Sequence, residues 1–466
     1  MLERDKSLTT DQKALALNLD ENKYGTIVEI GAGQEVARRF FKVGAAAGTI
    51  AKTMSAYDME VSDSIYGKAG RYVSRERVEQ MARHEYGLCV DRLENIRSPA
   101  CTFFSYAATV TARSYKGGNE CHGWIALRVQ LRPREEPCEI ICHVRMLDHS
   151  NELQSEALGV LGVNLIYGSF FYKSQPKWII DSLNDGLGSD RIEVDLILFK
   201  GPGFDYVDNQ LMNLHLVHAW LTRAVMFDPE GNPVVPRDAL YKCPVMVTRG
   251  SCRPPTRVHR DMEACGIRKM EKIEGVDSQK IVSMAEISMS QLVTNDTVDD
   301  RDFLVRMQLA SAMGFYVLLS DYVRYFSLRS WFRRYTQESI ALVMKTSDLN
   351  YLFDRNVYEG LEGGTLEGLG KLFADNTSVL VYPNLNSGKV HRLEDVRFPE
   401  TVELVAQQLM RNNKLIACEG YDESIVEISA RQAIQMISSN EPGWEDTLEP
   451  NIAKMIKEQG FFGYNG

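Results

Sequence analysis

The stretch from Tyr316 to Cys418 decides the fold. It carries four short apolar runs: Tyr316-Val-Leu-Leu319, Ile340-Ala-Leu-Val343, Val379-Leu-Val-Tyr382 and Leu415-Ile-Ala-Cys418. None alternates with polar residues, which is how a strand buried on both faces reads. Helical patterns separate them: one runs through Tyr335, others reach Phe373, and a third carries Val402, Val405 and Leu409. Phe303, Leu304, Met307 and Ala310 mark a helix ahead of the first run. Strands alternating with helices predict a mostly parallel sheet with flanking helices. Such sheets take ligands at the carboxyl ends of their strands. Those ends carry Ser320-Asp321, Thr346-Ser347-Asp348 and Pro383-Asn384, which we read first as helix caps.

Towards the N-terminus the rhythm changes at Gly250-Ser-Cys-Arg-Pro-Pro255, where a glycine and two prolines interrupt any element. The expected organisation is a polar N-terminal segment (1–23), an α+β domain (24–250) and an α/β domain (251–466). In the α+β domain Gly25–Ile30 is strand-like and Gln34–Val43 helical. Ser74 caps a helix to Leu93, with Val78, Met81, Ala82, Tyr86 and Cys89 near one face. Thr102–Ser114, Ile125–Arg132 and Glu139–Leu147 alternate, the last two joined by the loop Pro133–Pro137, and predict an antiparallel sheet with a hairpin. Val160–Tyr167 and Ile192–Phe199 read as further strands, with helices over Pro176–Leu183 and Asp208–Thr222 and a turn at Asp228–Pro233. The fold class is α/β in two parts.

At 466 residues the chain exceeds one ordinary hydrophobic core. Its 44% hydrophobic and 25% charged residues are those of a globular protein. A net charge of −10 argues against general nucleic-acid binding, which needs a basic face. There is no apolar run of about 18 residues to cross a membrane, and the charged start Met1–Lys6 does not read as an export signal. Nine scattered cysteines fit reduced thiols, so a soluble, cytoplasmic protein is expected.

The segment Tyr24–Tyr72 holds two cofactor look-alikes. Val28-Glu-Ile-Gly-Ala-Gly33 resembles the first motif of S-adenosylmethionine-dependent methyltransferases, but Gln34-Glu-Val36 stands where a third glycine belongs. Gly44-Ala-Ala-Ala-Gly-Thr-Ile-Ala-Lys-Thr53 imitates a P-loop, but Ala51 precedes Lys52 where that motif has glycine. Two readings stay open. Gly44, Gly48, Lys52, Thr53, Ser55 and Tyr57 surround a phosphate or carboxylate, or the small residues form a helix packed on a neighbour.

A second candidate lies on the hairpin, whose non-core face presents Arg128, Gln130, His143 and Arg145, with His122 and Asp148 at strand ends. Two guanidiniums and an imidazole suit an anion, and His143 can move protons near neutral pH. The alternative is a solvated sheet face. Cys142 and His143 alternate to opposite faces, so no metal site is predicted. Glu362-Gly-Gly-Thr-Leu-Glu-Gly-Leu-Gly370 reads as close helix packing, and Gly460-Phe-Phe-Gly-Tyr464 as an apolar tail that docks.

Glu29-Ile-Gly-Ala-Gly-Gln-Glu-Val-Ala-Arg38, Ala51-Lys-Thr-Met-Ser-Ala-Tyr-Asp58, His122-Gly-Trp124, Gly162-Val-Asn-Leu-Ile-Tyr167, Leu361-Glu-Gly-Gly364 and Phe462-Gly-Tyr464 resemble a family of long, poorly characterised bacterial cytosolic proteins. Its members carry two conflicting labels, TonB-dependent receptor and nicotinate-nucleotide adenylyltransferase. The first label needs a large membrane barrel, against which this chain has too much helix. The second needs a His-x-Gly-His motif, and no such tetrapeptide occurs. The resemblance carries no catalytic residues across, and the cofactor is left open.

Two functions follow as expectations. In the first, the protein is an enzyme or a sensor that binds a small anionic, phosphate- or nucleotide-like metabolite through the residues above, with His143 and Asp58 as the catalytic groups of the enzyme form. In the second, it is a non-catalytic protein that assembles into a homo-oligomer or filament.

Overall fold

The computed structural model describes residues 8–465, without 274, 295, 296 and 387. The chain is α/β and forms two compact units, Met1–Arg223 and Ala224–Gly466. The charged start Met1–Lys6 lies outside the described residues. The rest of the expected polar segment is a helix, α1 (Thr10–Asn18), capped by Thr9.

The first unit is built on strands β1 (Lys23–Ile30), β2 (Ile50–Met54), β3 (Thr102–Thr111), β4 (His122–Val129), β5 (Cys138–Met146) and β6 (Ile192–Lys200). They lie in the order β2-β1-β3-β4-β5-β6. β2, β1 and β3 are parallel, and β3 to β6 antiparallel. The parallel strands need crossovers. These are α2 (Glu35–Lys42) between β1 and β2, then α3 (Met59–Tyr66) and α4 (Arg75–Leu93) between β2 and β3. Ser74 caps α4 by accepting the Arg77 N–H, a contact that stabilises by about 1 kcal/mol. Val78, Met81, Ala82, Tyr86 and Cys89 are buried as expected.

Two elements differ from the sequence reading. Val160–Tyr167 lies inside α5 (Asn151–Phe171) and is not a strand. This helix is buried all round from Ala157 to Ser169, because α1, α2, α6 (Pro176–Leu183) and the sheet surround it. A helix covered on every side loses its 3.6-residue period and reads like a buried strand. The P-loop look-alike is neither loop nor small-residue helix. It is a short turn at Ala46–Gly48 followed by the edge strand β2.

The second unit carries an eight-stranded sheet in the order Leu415–Ala417, Thr377–Tyr382, Ile340–Lys345, Val245–Arg249, Val282–Ser288, Tyr316–Ser320, Ala224–Phe227, Pro233–Val234. The first six strands are parallel, and the last two form an antiparallel edge. Numbered in chain order, the parallel strands run 6-5-4-1-2-3, the arrangement of doubly wound dinucleotide-binding sheets. Ala224–Phe227 and Val245–Arg249 belong to this sheet, so the Gly250–Pro255 turn sits within the unit rather than at its start. One sheet face packs Val245, Val247, Leu342 and Val379 against Leu328, Trp331, Phe332, Leu369 and Leu372. The other packs Met246, Ala341, Val343 and Leu380 against Val258, Met262, Cys265 and Met270. Gly368 lies where a Cβ would fall 2.0 Å from the Tyr358 ring, which bears out close packing in the glycine-rich helix.

Candidate functional site

In the first unit the Gly31–Gly33 turn opens α2, as the methyltransferase-like motif predicts. Gly31 has φ +107° and a Cβ there would fall 1.9 Å from the Val110 carbonyl oxygen, so only glycine fits. The anion at the start of α2 is the chain's own. Glu29 accepts the Val36 and Ala37 N–H groups at 3.0 and 3.1 Å. Burial raises its pKa to about 7 against the pull of those hydrogen bonds.

The residues proposed from the N-terminal segment are each engaged. Lys52 pairs with the buried Glu85, which also accepts from Tyr66 at 2.8 Å. Thr53 is paired in β2 with Ile27 of β1. Ser55 donates to the Glu29 carbonyl. The Tyr57 hydroxyl accepts the Gly33 N–H at 3.0 Å, and Asp58 caps α3 through the Val61 N–H. Gly44 gives its carbonyl to Asn18, and Gly48 closes the turn before β2.

On the hairpin, Arg128, His143 and Arg145 share one sheet face, but α4 covers part of it. Arg128 pairs with Glu139 and stacks over Tyr86 of α4. Arg145 binds Glu120 at 3.2 Å and Glu193 at 2.5 Å. Gln130 is buried between the Phe103 N–H and the Glu135 carbonyl. His143 is 2% exposed. Its Nδ1 lies 2.6 Å from Asp195 Oδ1, and its Nε2 lies 3.1 Å from His122 Nδ1. Lys52, Asp58, Arg128 and His143 thus each serve a different partner.

The second unit holds a site at strand ends that the sequence reading took first as helix caps, without Lys345 or His259. Strand order reverses between Ile340–Lys345 and Val245–Arg249. The chain leaves Val245–Arg249 through the helix Arg257–Met270 on one sheet face. It leaves Ile340–Lys345 through Gly364–Leu372 on the other. The divergence opens a crevice at the carboxyl ends, where doubly wound folds bind ligands.

Two cationic or donor groups stand there. His259, in the first turn of Arg257–Met270, receives the Thr256 N–H on Nδ1 at 3.0 Å. A backbone N–H only donates, so Nδ1 accepts and the neutral ring carries its hydrogen on Nε2. Nε2 lies 3.6 Å from the Cβ position of Gly250. Burial, with the Lys345 ammonium nearby, pushes the His259 pKa down to about 4. Burial also lowers the pKa of Lys345, against the opposing pull of the nearby Asp348 carboxylate. Thr346 donates to Asn384 and to the His391 carbonyl, tying the crevice to the next loop. There a cavity of ≈ 240 Å3 is lined by Pro383, Arg392, Cys418 and Tyr421. Arg249 is structural: it grips Glu286, which is fully buried, at 2.6 Å, and Ser320 donates to the same carboxylate at 2.5 Å.

The Thr256–His259 contact spans the same reach as a capping box, with histidine where that sequence signal has Glu or Gln. Among the described residues no group of three or more His, Cys, Asp or Glu side chains could hold a metal. No described helix is long and apolar enough to cross a membrane. The tail Phe461–Tyr464 is half-buried, with Tyr464 against Trp444 at 5.5 Å.

No family model matches the chain, and no curated protein does. Among solved structures, the nicotinic acid mononucleotide adenylyltransferase of Plasmodium falciparum, complexed with APC, is similar at 11% identity and TM-score 0.31. The match covers 48% of this chain and 98% of that one. A putative nicotinate-nucleotide adenylyltransferase of Vibrio parahaemolyticus is similar at 11% identity and TM-score 0.25, over 48% of this chain and 97% of that one. The competence/damage inducible protein CihA of Agrobacterium tumefaciens is similar at 14% identity and TM-score 0.26, over 36% of this chain and 96% of that one. Likenesses this weak carry no conclusion about function.

Proposed function

We propose that the second unit binds a small phosphate-bearing, nucleotide-like ligand at the crevice between Val245–Arg249 and Ile340–Lys345. The observation that carries this reading is the strand-order reversal with Lys345 and His259 at its carboxyl edge. The reversal supplies a crevice. The helix start supplies amides and a favourable dipole. The Nε2–H of a neutral imidazole donates without needing to be charged. Burial disfavours the charge on Lys345 and the nearby Asp348 carboxylate offsets only part of that, so an arriving anion adds to its stabilisation. The N-terminal cations Lys52, Arg128 and Arg145 already have carboxylate partners, so the reading of an anionic metabolite moves to the second unit. For the assembly reading, the tail residues offered as contacts are half-buried against their own unit.

The test is calorimetric titration of the full chain with ATP and with inorganic triphosphate. Binding should occur and should weaken about tenfold or more in Lys345→Ala, the loss of one charge-assisted contact. No binding of either probe, or unchanged binding in the variant, overturns the proposal.

A further inference from the structure

The cavity beside the crevice extends the phosphate-binding reading to a base, and rests on it. The cavity measures ≈ 240 Å3 and lies where Thr377–Tyr382 and Leu415–Ala417 end. Val381, Pro383, Leu393 and Ala417 give it apolar walls. Drug-sized ligands fill about 300–1,000 Å3, so this volume suits one heterocycle, not a whole nucleotide.

The cavity adjoins the crevice. Lys345 is the register partner of Tyr382, the residue before Pro383. Neighbouring strands lie about 5 Å apart. Thr346 donates to Asn384 and to the His391 carbonyl, the chain neighbours of Pro383 and Arg392 in the cavity wall. A phosphate held at Lys345 therefore has the cavity one strand away.

The ladder between the two strands ends in a way that leaves an acceptor there. Val381 pairs with Ala417, and the Cys418 N–H donates to the Val381 carbonyl at 2.8 Å. The next bond of a parallel ladder would run from the N–H of residue 383 to the Cys418 carbonyl. Residue 383 is proline and has no N–H. Cys418 is 4% exposed, and a buried carbonyl that lacks a donor costs free energy. Both Pro383 and Cys418 line the cavity, so a donor on a ligand can take the missing place.

A flat cation stands in the same wall. Arg392 donates from Nε to the Tyr421 hydroxyl at 2.7 Å and from a terminal nitrogen to Glu423 at 2.8 Å. These two bonds fix the plane of its guanidinium. A guanidinium held flat stacks on the face of an aromatic ring.

We propose that the cavity receives the base of a nucleoside triphosphate whose phosphates lie at Lys345, and that the base is adenine. The exocyclic amine of adenine donates to the Cys418 carbonyl, and the ring lies against Arg392 between the apolar walls. A base with an oxo group in the amine's place sets oxygen against oxygen and leaves both unsatisfied. Cytosine carries an amine but, as a single ring, leaves part of the volume empty.

The test is calorimetric titration of the full chain with inorganic triphosphate, ATP and ITP, which carries an oxo group in place of the adenine amine. ATP should bind at least about tenfold tighter than triphosphate, and ITP about tenfold weaker than ATP. Equal affinities for ATP and triphosphate overturn the base site and leave the phosphate reading standing. Binding of none of the three overturns both. Equal affinities for ATP and ITP overturn the choice of adenine. Arg392→Lys keeps the charge but loses the plane. It should weaken ATP about fivefold or more and leave triphosphate unchanged. ATP affinity that ignores this variant overturns the stack on Arg392. If Arg392→Lys fails to fold, the wild-type series still decides.

Discussion

Glu29 reaches from β1 to the start of the helix that follows it and accepts the Val36 N–H at 3.0 Å. The chain thus fills with its own carboxylate the position that a cofactor-binding turn leaves for a ligand. Burial lifts the pKa to about 7 from an ordinary 4.5. A group whose folded pKa is raised binds its proton more tightly in the folded state. Its stabilisation is full below the unfolded value and is lost as pH rises through about 7. Wild type should therefore lose about 3 kcal/mol relative to Glu29→Gln between pH 4 and 8. Urea unfolding of both proteins across that range checks it; parallel curves would show that Glu29 titrates normally.

Gly162 of α5 faces α2. A Cβ at this position would lie 2.4 Å from Val36 Cγ2 and 2.9 Å from the Tyr106 hydroxyl. Both neighbours are fully buried and cannot swing away. Gly162→Ala should gain helix propensity yet lose net stability by about 1–3 kcal/mol through overpacking. Gly87→Ala on α4, where nothing stands within 4 Å, should do the reverse. Paired chemical denaturation of the two variants separates packing from propensity.

The legibility of the fold followed burial. Ile340–Val343 and Val379–Tyr382 were readable as strands because both faces are covered and every position is apolar. Val245–Arg249 and Val282–Ser288 belong to the same sheet but end in Thr248-Arg249 and Glu286-Ile-Ser288, polar groups that shape the carboxyl edge. Without those two strands neither the strand order nor the reversal could be seen, so the crevice beside Lys345 was missed. On the hairpin, alternation put Arg128, His143 and Arg145 on one face. Their counter-charges Glu139, Glu193 and Asp195 depend on cross-strand register and on a bulge, which a single strand's pattern does not contain.

Lys52 projects from an edge strand to a carboxylate, Glu85, that is 1% exposed. Removing the ammonium leaves Glu85 with Tyr66 as its hydrogen-bonding partner. Lys52→Ala should cost about 1–3 kcal/mol of stability, a modest sum because the lysine itself is partly exposed. Adding Glu85→Gln should return much of that loss, since the buried charge is then gone. The double-mutant cycle measures the coupling. Zero coupling would release Lys52 from this structural role and return it to the candidates for anion binding.

His259 gives the sharpest pH signature. Its folded pKa of about 4 lies below the ordinary 6.5, so the unfolded chain binds the extra proton first. Stability is full above pH 6.5 and declines as pH falls toward 4, with the titration midpoint of the His259 ring near the lower value. Lys345→Met removes one cause of the depression and should raise that midpoint; burial, the larger cause, stays. A bound triphosphate should raise it further, because an anion beside Nε2 favours the imidazolium. Proton NMR of the imidazole resonances, with and without triphosphate, follows each step. A midpoint that ignores both Lys345→Met and the triphosphate would place His259 outside the ligand crevice.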